Sequence, residues 1–220
     1  MKKYTLGLYE KAMPPELTWK EKLITAKAAG YDFLEISIDE TDEKISRLYM
    51  SREELLRLKQ IIDEAGFPIG TMCLSAHRRY PIGSSDEKTA AYGMEIMERA
   101  VSFAETLGIR IIQLAGYDVY YEESTPLTVR RFGENLERAA EMAARAGIML
   151  GFETMETDFM NTVGKAVDYV RAMNSPYLNV YPDVGNITNA ACKYSIDVAE
   201  DIKKGNGRIV ASHLKETRPG

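Results

Sequence analysis

Strand-like and helix-like segments alternate along almost the whole chain, and this alternation restricts the fold more than any other feature of the sequence. Longer segments with apolar residues near a period of 3.6, such as 86–107 and 126–146, predict amphipathic helices. Between the helices, short apolar runs predict seven strands, at residues 4–9, 31–37, 67–74, 109–115, 147–153, 177–182 and 208–214. Seven βα-type units in strict alternation indicate a parallel sheet with right-handed crossovers.

The ends of the predicted helices carry their own signals. Thr18 with Glu21, and Ser51 with Glu54, have the spacing of capping boxes, in which each side chain satisfies an orphan backbone donor. Glycines stand where a left-handed residue would end a helix, at Gly30, Gly66, Gly108, Gly147 and Gly205.

Two architectures are built from such units, the open doubly wound sheet and the TIM barrel. The barrel is favoured, because no glycine-rich phosphate loop follows the first predicted strand and because polar residues stand at the ends of many strands. A closed barrel has eight strands and typically about 250 residues, whereas this chain has 220 residues and seven candidate strands. We therefore expect residues 1–220 to form one α/β domain of the TIM (β/α)8 type that lacks the eighth βα unit at its C-terminal end.

The charge of the chain restricts which partners it could bind, and its cysteines indicate the redox compartment. The net charge of -5 argues against a general nucleic-acid or membrane-surface binder, and no apolar run approaches 18 residues. Cys73 and Cys192 are far apart and match no paired framework, which fits a reducing cytoplasm. Cys73 lies within an apolar run, and we expect it to be a small core residue.

Glu153, Asp183 and His213 each close a predicted strand, and they are separated by 30 residues both times. Since the carboxyl ends of barrel strands meet at one mouth, two carboxylates and an imidazole delivered there predict a divalent-metal site. Each residue also has a structural alternative. Glu153 could pair with a helix, Asp183 could be a turn or N-cap residue, and His213 could be an ordinary structural histidine.

Several motifs resemble a known family along the whole length of the chain. They are LGLYEKA at 6–12, MCLSAHRR at 72–79, IQLAGYDVYY at 112–121, YPDVGN at 181–186 and HLKET at 213–217. These stretches resemble the sugar-phosphate 3-epimerases of the xylose-isomerase-like TIM-barrel superfamily, in particular the L-ribulose-5-phosphate (L-xylulose-5-phosphate) 3-epimerases. HLKET departs mildly from the family, which often has aspartate where this chain has Glu216.

The resemblance implies a reaction and a cofactor. The substrate would be a phosphorylated ketopentose that is inverted at C3 through an enediolate. Glu153, Asp183 and His213 would bind one divalent ion (Mn, Zn, Co or Mg), and Glu153 would also act as an acid/base group. The second acid/base glutamate of the family lies on the eighth strand and has no matching position here, so we expect this chain to be inactive by itself.

Basic residues after the third and seventh predicted strands are candidates for binding the substrate phosphate. Barrels often hold a phosphate with the loops after strands 7 and 8, and arginine forks suit phosphate oxygens. The candidates are His77, Arg78, Arg79, Lys215 and Arg218. The alternative is an ordinary solvated loop, and His77 could instead contact a sugar hydroxyl or, as a weaker alternative, a metal ion.

Two further positions point to the same mouth. Glu35 ends the second predicted strand and could bond a sugar hydroxyl. Tyr117 begins a polar-aromatic loop, with Asp118, Tyr120 and Tyr121, that suits a lid or a sugar-stacking wall. The same tyrosines would serve equally well at a homodimer interface.

Other functions use related chemistry. A ketose-aldose isomerase of the hexulose-6-phosphate type or an inosose-type dehydratase would need the same enolate-stabilising groups. An apurinic-site endonuclease of the superfamily would need more metal-binding histidines than the two in this chain, and a basic surface. A non-catalytic sugar-binding protein is the remaining alternative.

Overall fold

A computed structural model describes residues 4–217 of the chain. Among these residues, six strands form one sheet in which every neighbouring pair is parallel and the spatial order follows the chain. The strands are Gly7–Tyr9 (β1), Phe33–Ile38 (β2), Ile69–Leu74 (β3), Ile111–Ala115 (β4), Met149–Glu153 (β5) and Leu178–Tyr181 (β6). Sequential parallel strands with helical crossovers are the pattern of a TIM barrel, and the predicted fold class is confirmed.

The helices occupy the segments between the strands. Within the described residues they are Trp19–Ala28 (α1), Asp42–Ser46 (α2), Arg52–Ala65 (α3), Glu87–Leu107 (α4), Pro126–Arg145 (α5), Val163–Met173 (α6), Val184–Tyr194 (α7) and Val198–Lys203 (α8). Short 3-10 turns at Glu10–Ala12, Arg47–Tyr49 and Ser75–Arg78 complete the loops. None of the helices in residues 4–217 is long and apolar enough to cross a membrane.

Local capping chemistry sets most of the helix ends. Both predicted capping boxes are confirmed, at the first residues of α1 and α3. Four of the five predicted glycines have the positive φ that a left-handed helix end requires. The prediction for Gly205 is wrong, because α8 ends at Lys203 and the left-handed residues that follow are Asn206 and Gly207.

The seventh predicted strand, 208–214, is not a continuous strand. It runs beside β6 and makes two isolated parallel bridges, Val180 to Ile209 and Asp183 to His213. Backbone bonds between those bridges, such as Val210 N to the Val180 carbonyl at 3.1 Å, keep the segment in parallel alignment. The segment therefore still delivers His213 to the carboxyl end of the sheet, although the regular ladder is interrupted.

Several inward-facing side chains of the sheet are polar. Tyr181 on β6 donates to Glu35 on β2 at 2.8 Å, so side chains of strands that are not neighbours meet across the interior. Thr71 and Gln113 are buried in the same interior, whereas barrel interiors usually hold bulky branched residues. Alternate residues of the strands, such as Ile112, belong to the hydrophobic core shared with the helices. Cys73 is buried, as predicted.

An ion cluster ties the loops after β1 and β2 together. Glu10 is 2% exposed, and its carboxylate accepts from Lys44 at 2.7 Å, from Arg47 at 2.8 Å and from the backbone N–H of Ser37 at 2.8 Å. Burial would raise the pKa of Glu10, but the bonds and charge of Arg47 and Lys44 lower it below its ordinary range. A buried charge that is satisfied in this way fixes the geometry of its neighbours. Two loops at the carboxyl end of the sheet are therefore held in one arrangement.

Candidate metal centre at the carboxyl end of the sheet

Three neighbouring elements deliver the predicted metal ligands. Glu153 is the last residue of β5, Asp183 follows β6 at the first turn of α7, and His213 lies in the segment beside β6. The His213 N–H donates to the Pro182 carbonyl at 2.9 Å, and the Val184 N–H donates to the His213 carbonyl at 3.1 Å. These backbone bonds fix His213 opposite Asp183.

The side chains of the three residues meet. One Glu153 oxygen lies 2.9 Å from Nδ1 of His213, and one Asp183 oxygen lies 4.0 Å from the same nitrogen. One ligand atom from each residue lies within 4.8 Å of the other two. The structure therefore brings together all three residues that the sequence identified.

The electrostatics of the cluster favour positive charge at its centre. Burial would lower the pKa of His213, but hydrogen bonds to Glu153 and Glu35 raise it to about 10. A site that holds a proton so strongly between carboxylates is also suited to a cation. Two carboxylates and an imidazole are a donor set used by Mn²⁺, Zn²⁺, Co²⁺ and Mg²⁺. The residues present therefore fit a divalent ion.

The two carboxylate oxygens of Asp183 have different partners. One carboxylate oxygen accepts from the Asn186 N–H at 2.8 Å and caps α7, so the N-cap role that the sequence offered for Asp183 is confirmed. The other oxygen faces His213 and lies 3.1 Å from Nζ of Lys215. The N-cap interaction therefore uses one carboxylate oxygen and leaves the other available to a metal ion.

Gln113 contacts the cluster, although nothing in the sequence pattern singles it out. It lies on β4, is fully buried, and its amide donates to the Glu153 oxygen that His213 does not contact. Gln113 pairs with Gly151 of β5, and a Cβ at that glycine would lie 3.1 Å from the side chains of Tyr181 and Val210. The glutamine lies in the motif IQLAGYDVYY at 112–121, but only the pairing of β4 with β5 shows which residue it contacts.

Glu35 lies beneath the cluster. Glu35 is buried and contacts His213 Nε2 at 2.6 Å. It lies within β2, so the prediction that it ends this strand is wrong. Burial would raise the pKa of Glu35, but the hydrogen bond and charge of His213, with bonds from Thr71 and Tyr181, lower it below its ordinary range. Glu35 is therefore a charged part of the cluster at neutral pH.

The predicted phosphate-binding residues lie in different surroundings. Arg78 stacks over Tyr120, 4.5 Å from the ring centroid, and has no salt-bridge partner among residues 4–217. Lys215 is half exposed at the rim and bonds Asn186 at 3.0 Å. Arg218 lies outside the described residues.

His77 and Arg79 have partners away from the three-residue cluster. His77 is buried, and its Nε2 lies 3.0 Å from the Gly93 carbonyl of α4. Burial lowers the pKa of His77 to about 4, so the ring is neutral at pH 7. Arg79 pairs with the exposed Asp42 at 2.8 Å and stacks over Tyr80.

The loop after β4 forms an aromatic wall near Arg78. Tyr117 is 2% exposed and its ring lies 5.2 Å from that of Tyr120. Burial raises the pKa of Tyr117 well above its ordinary range, and the nearby Arg78 opposes that rise. The Tyr120 hydroxyl donates to Glu156 at 2.8 Å. This wall joins the loops after β3, β4 and β5.

Comparison with known proteins identifies the family. A sequence model of the xylose isomerase-like TIM-barrel family matches residues 23–220. The chain belongs to this family. It is 48% identical over 219 residues to L-ribulose-5-phosphate 3-epimerase UlaE of Escherichia coli O157:H7 and of Shigella sonnei strain Ss046, and covers 76% of the length of each.

Solved structures agree with the fold of this xylose isomerase-like barrel. A D-psicose 3-epimerase structure has a TM-score of 0.81 at 18% identity, covering 97% of this chain and 73% of the other. An L-ribulose 3-epimerase structure has a TM-score of 0.74 at 21% identity, covering 96% and 69%. Because its curated relatives are epimerases, the chain belongs to the isomerase class of enzymes.

Proposed function

We propose that this protein is a metal-dependent sugar-phosphate 3-epimerase that interconverts L-ribulose 5-phosphate and L-xylulose 5-phosphate. The observation that carries the proposal is the convergence of Glu153, Asp183 and His213 within 4.8 Å at the carboxyl end of the sheet. The 48% identity to proteins named L-ribulose-5-phosphate 3-epimerase supports this choice of substrate.

The reaction explains why these groups are needed. Inversion at C3 of a 2-ketose begins with removal of the proton on C3, the carbon next to the carbonyl. This proton is too weakly acidic for a carboxylate to remove it unaided. A divalent ion bound by Glu153, Asp183 and His213 would polarise that carbonyl and stabilise the enediolate. The ion would be Mn²⁺, Zn²⁺, Co²⁺ or Mg²⁺.

Glu153 is the proposed proton-transfer group of this chain. Gln113 and His213 contact different oxygens of its carboxylate, so its orientation is fixed before a substrate arrives. A group held within hydrogen-bond reach of the transferred proton is what general base catalysis requires. A second such group must act on the opposite face of the sugar to complete the inversion.

Arg78 and Lys215 are the proposed phosphate contacts. Arg78 has no salt-bridge partner among the described residues, and a guanidinium can bind two phosphate oxygens at once. Lys215 is half exposed at the rim of the cluster, so its ammonium can turn toward a ligand. His77 is neutral and bonded to the Gly93 carbonyl, and Arg79 is paired with Asp42, so these two are weaker candidates. Tyr117 would line the wall on which the sugar rests.

The natural full-length polypeptide loaded with Mn²⁺ tests the proposed function. We expect it to exchange the C3 hydrogen of L-ribulose 5-phosphate with deuterated solvent and to form L-xylulose 5-phosphate, as followed by proton NMR. Glu153→Gln should abolish both. The Escherichia coli O157:H7 relative is the positive control, and the 220-residue chain assayed beside it tests the expected inactivity of this chain alone.

Other products would favour other members of the superfamily. Formation of an aldose phosphate without inversion at C3 would indicate a ketose-aldose isomerase, and loss of water would indicate an inosose-type dehydratase. Exchange and product formation that persist in Glu153→Gln would contradict the proposed role of the cluster. The homodimer and the cytoplasmic location stay predictions.

A further inference from the structure

The two nitrogens of His213 face different surroundings. Nδ1 lies 2.9 Å from Glu153 and 4.0 Å from Asp183, so it points to the other two predicted metal ligands. Nε2 points the opposite way and lies 2.6 Å from Glu35. If a cation is shared by the three predicted ligands, the geometry leaves Nδ1 to bind it and Nε2 to carry the ring proton.

Glu35 is held in place to receive that proton. One of its oxygens accepts from Thr71 at 2.6 Å and from Tyr181 at 2.8 Å, which orients the carboxylate from two strands. The other oxygen is thereby aimed at His213. Glu35 is 3% exposed and lies below the imidazole, so these bonds use most of its capacity to accept.

The carboxylate selects one tautomer of the imidazole. With the proton on Nδ1, the lone pair of Nε2 would face the Glu35 carboxylate, and two acceptors would repel each other in a buried site. With the proton on Nε2, that nitrogen donates to Glu35 and the Nδ1 lone pair is free for a metal ion. The ring is also packed against Tyr181, with ring centroids 4.9 Å apart.

We propose that Glu35 is a positioning residue for His213, and that it accepts the Nε2 proton so that Nδ1 binds the divalent ion. This inference rests on the proposed metal-dependent function. It replaces the expectation that Glu35 bonds a sugar hydroxyl. Glu35 then affects the reaction through the metal site and has no direct contact with the substrate.

Metal affinity separates the two roles of Glu35. On the natural full-length polypeptide, we expect Glu35→Gln to weaken Mn²⁺ binding about 10–100-fold, the usual cost of losing such a partner. KM for the sugar phosphate at saturating Mn²⁺ should stay within about twofold. A sugar-binding role predicts the reverse, an unchanged Mn²⁺ affinity and a raised KM, and that result would overturn the proposal.

Glu35→Asp keeps the charge but shortens the reach by one methylene group. We expect it to weaken Mn²⁺ binding in the same way, because the carboxylate no longer reaches Nε2. An affinity equal to that of the wild type would mean that only the charge matters, and would overturn the positioning role. Thermal unfolding of each variant without metal shows whether it is folded.

NMR of the Zn²⁺-loaded wild-type protein tests the inference without a substitution at Glu35. The chain has two histidines, His77 and His213, so His77→Gln assigns the remaining imidazole signals to His213. Nitrogen-15 spectra should show a protonated Nε2 and a metal-bound Nδ1, and the reverse would overturn the inference. A wild-type protein that binds neither Zn²⁺ nor Mn²⁺ would overturn both the metal-dependent function and the positioning role of Glu35. Metal binding that is unaffected in both Glu35 variants would overturn only the positioning role.

Discussion

Replacing His77 by glutamine should remove a specific part of the acid sensitivity of this protein. The imidazole of His77 is buried against the Gly93 carbonyl, and burial lowers its pKa from 6.5 to about 4. When pH falls below 6.5, His77 of the unfolded chain binds a proton while the folded protein still excludes it. The stability that neutral His77 provides is therefore lost between pH 6.5 and pH 4.

The size of the effect follows from the two pKa values. Each tenfold difference in proton affinity is worth about 1.4 kcal/mol. The gap between 6.5 and about 4 for His77 therefore amounts to about 3.4 kcal/mol at full development, and to about 2 kcal/mol at pH 5. His77→Gln keeps an amide N–H that can donate to the Gly93 carbonyl, but it cannot titrate.

Urea unfolding of wild type and His77→Gln at pH 8 and pH 5 measures this difference. Every other titrating group is common to both proteins, so the change in the difference between their free energies of unfolding isolates His77. We expect the wild type to lose about 2 kcal/mol more than the variant between the two pH values. Parallel losses would refute the reasoning, because they would mean that His77 is protonated or solvated in the folded protein.

Three further perturbations test the site and the packing around it. Arg78→Ala should raise KM for the phosphorylated sugar far more than for its dephosphorylated analogue. Arg79→Ala should change neither KM, because the guanidinium of Arg79 is already paired with Asp42. Equal effects of Arg78→Ala on both sugars would argue against a phosphate contact. Gly116→Ala should cost about 1–3 kcal/mol of stability in chemical denaturation, because its new methyl carbon would clash with the backbone carbonyl oxygen of Glu153. Gly133→Ala in α5 is the matched control, since its methyl group meets open space and should stabilise the helix by about 0.5–1 kcal/mol. A Gly116→Ala protein that loses no stability would show that Gly116 is not crowded. The third test is calorimetric titration with Zn²⁺ near pH 7.5 in buffers of different ionisation enthalpy, which should show release of about one proton per ion. The reason is that the raised pKa of His213, about 10, keeps its ring protonated until metal binds. No proton release would contradict that protonation state.

The parts of the fold that could be predicted are those with local causes. A capping box joins residues three positions apart, so Thr18 with Glu21 could be identified without any tertiary structure. Segment 208–214 could not be resolved in this way. Its composition suits a strand, but a regular ladder requires partners, and among the described residues it pairs with β6 alone. Gly205 shows the same limit, since the short α8 ends two residues before it.

The predictable part of the site is the set of residues at strand ends. Glu153, Asp183 and His213 were identifiable because parallel strands of equal spacing end at the same edge. The contacts that Gln113 and Glu35 make in the cluster could not be identified in this way, because each joins residues far apart in the chain. The bond from Gln113 to Glu153 spans 40 residues, and the bond between His213 and Glu35 spans 178. Arg78 and Arg79 are adjacent, yet the turn that carries them directs one to an aromatic ring and the other to Asp42.

Asp183 shows why competing interpretations of one residue need not exclude each other. The sequence offered a helix cap or a metal ligand, and a carboxylate has two oxygens that can serve both. One oxygen accepts the Asn186 N–H at 2.8 Å, and the other faces His213 and Lys215. Because the cap fixes the carboxylate by a bond within α7, the same interaction that begins the helix also orients the oxygen available to a cation. Stability and ligand geometry are therefore coupled at this residue, and a substitution that removes either oxygen is expected to disturb both.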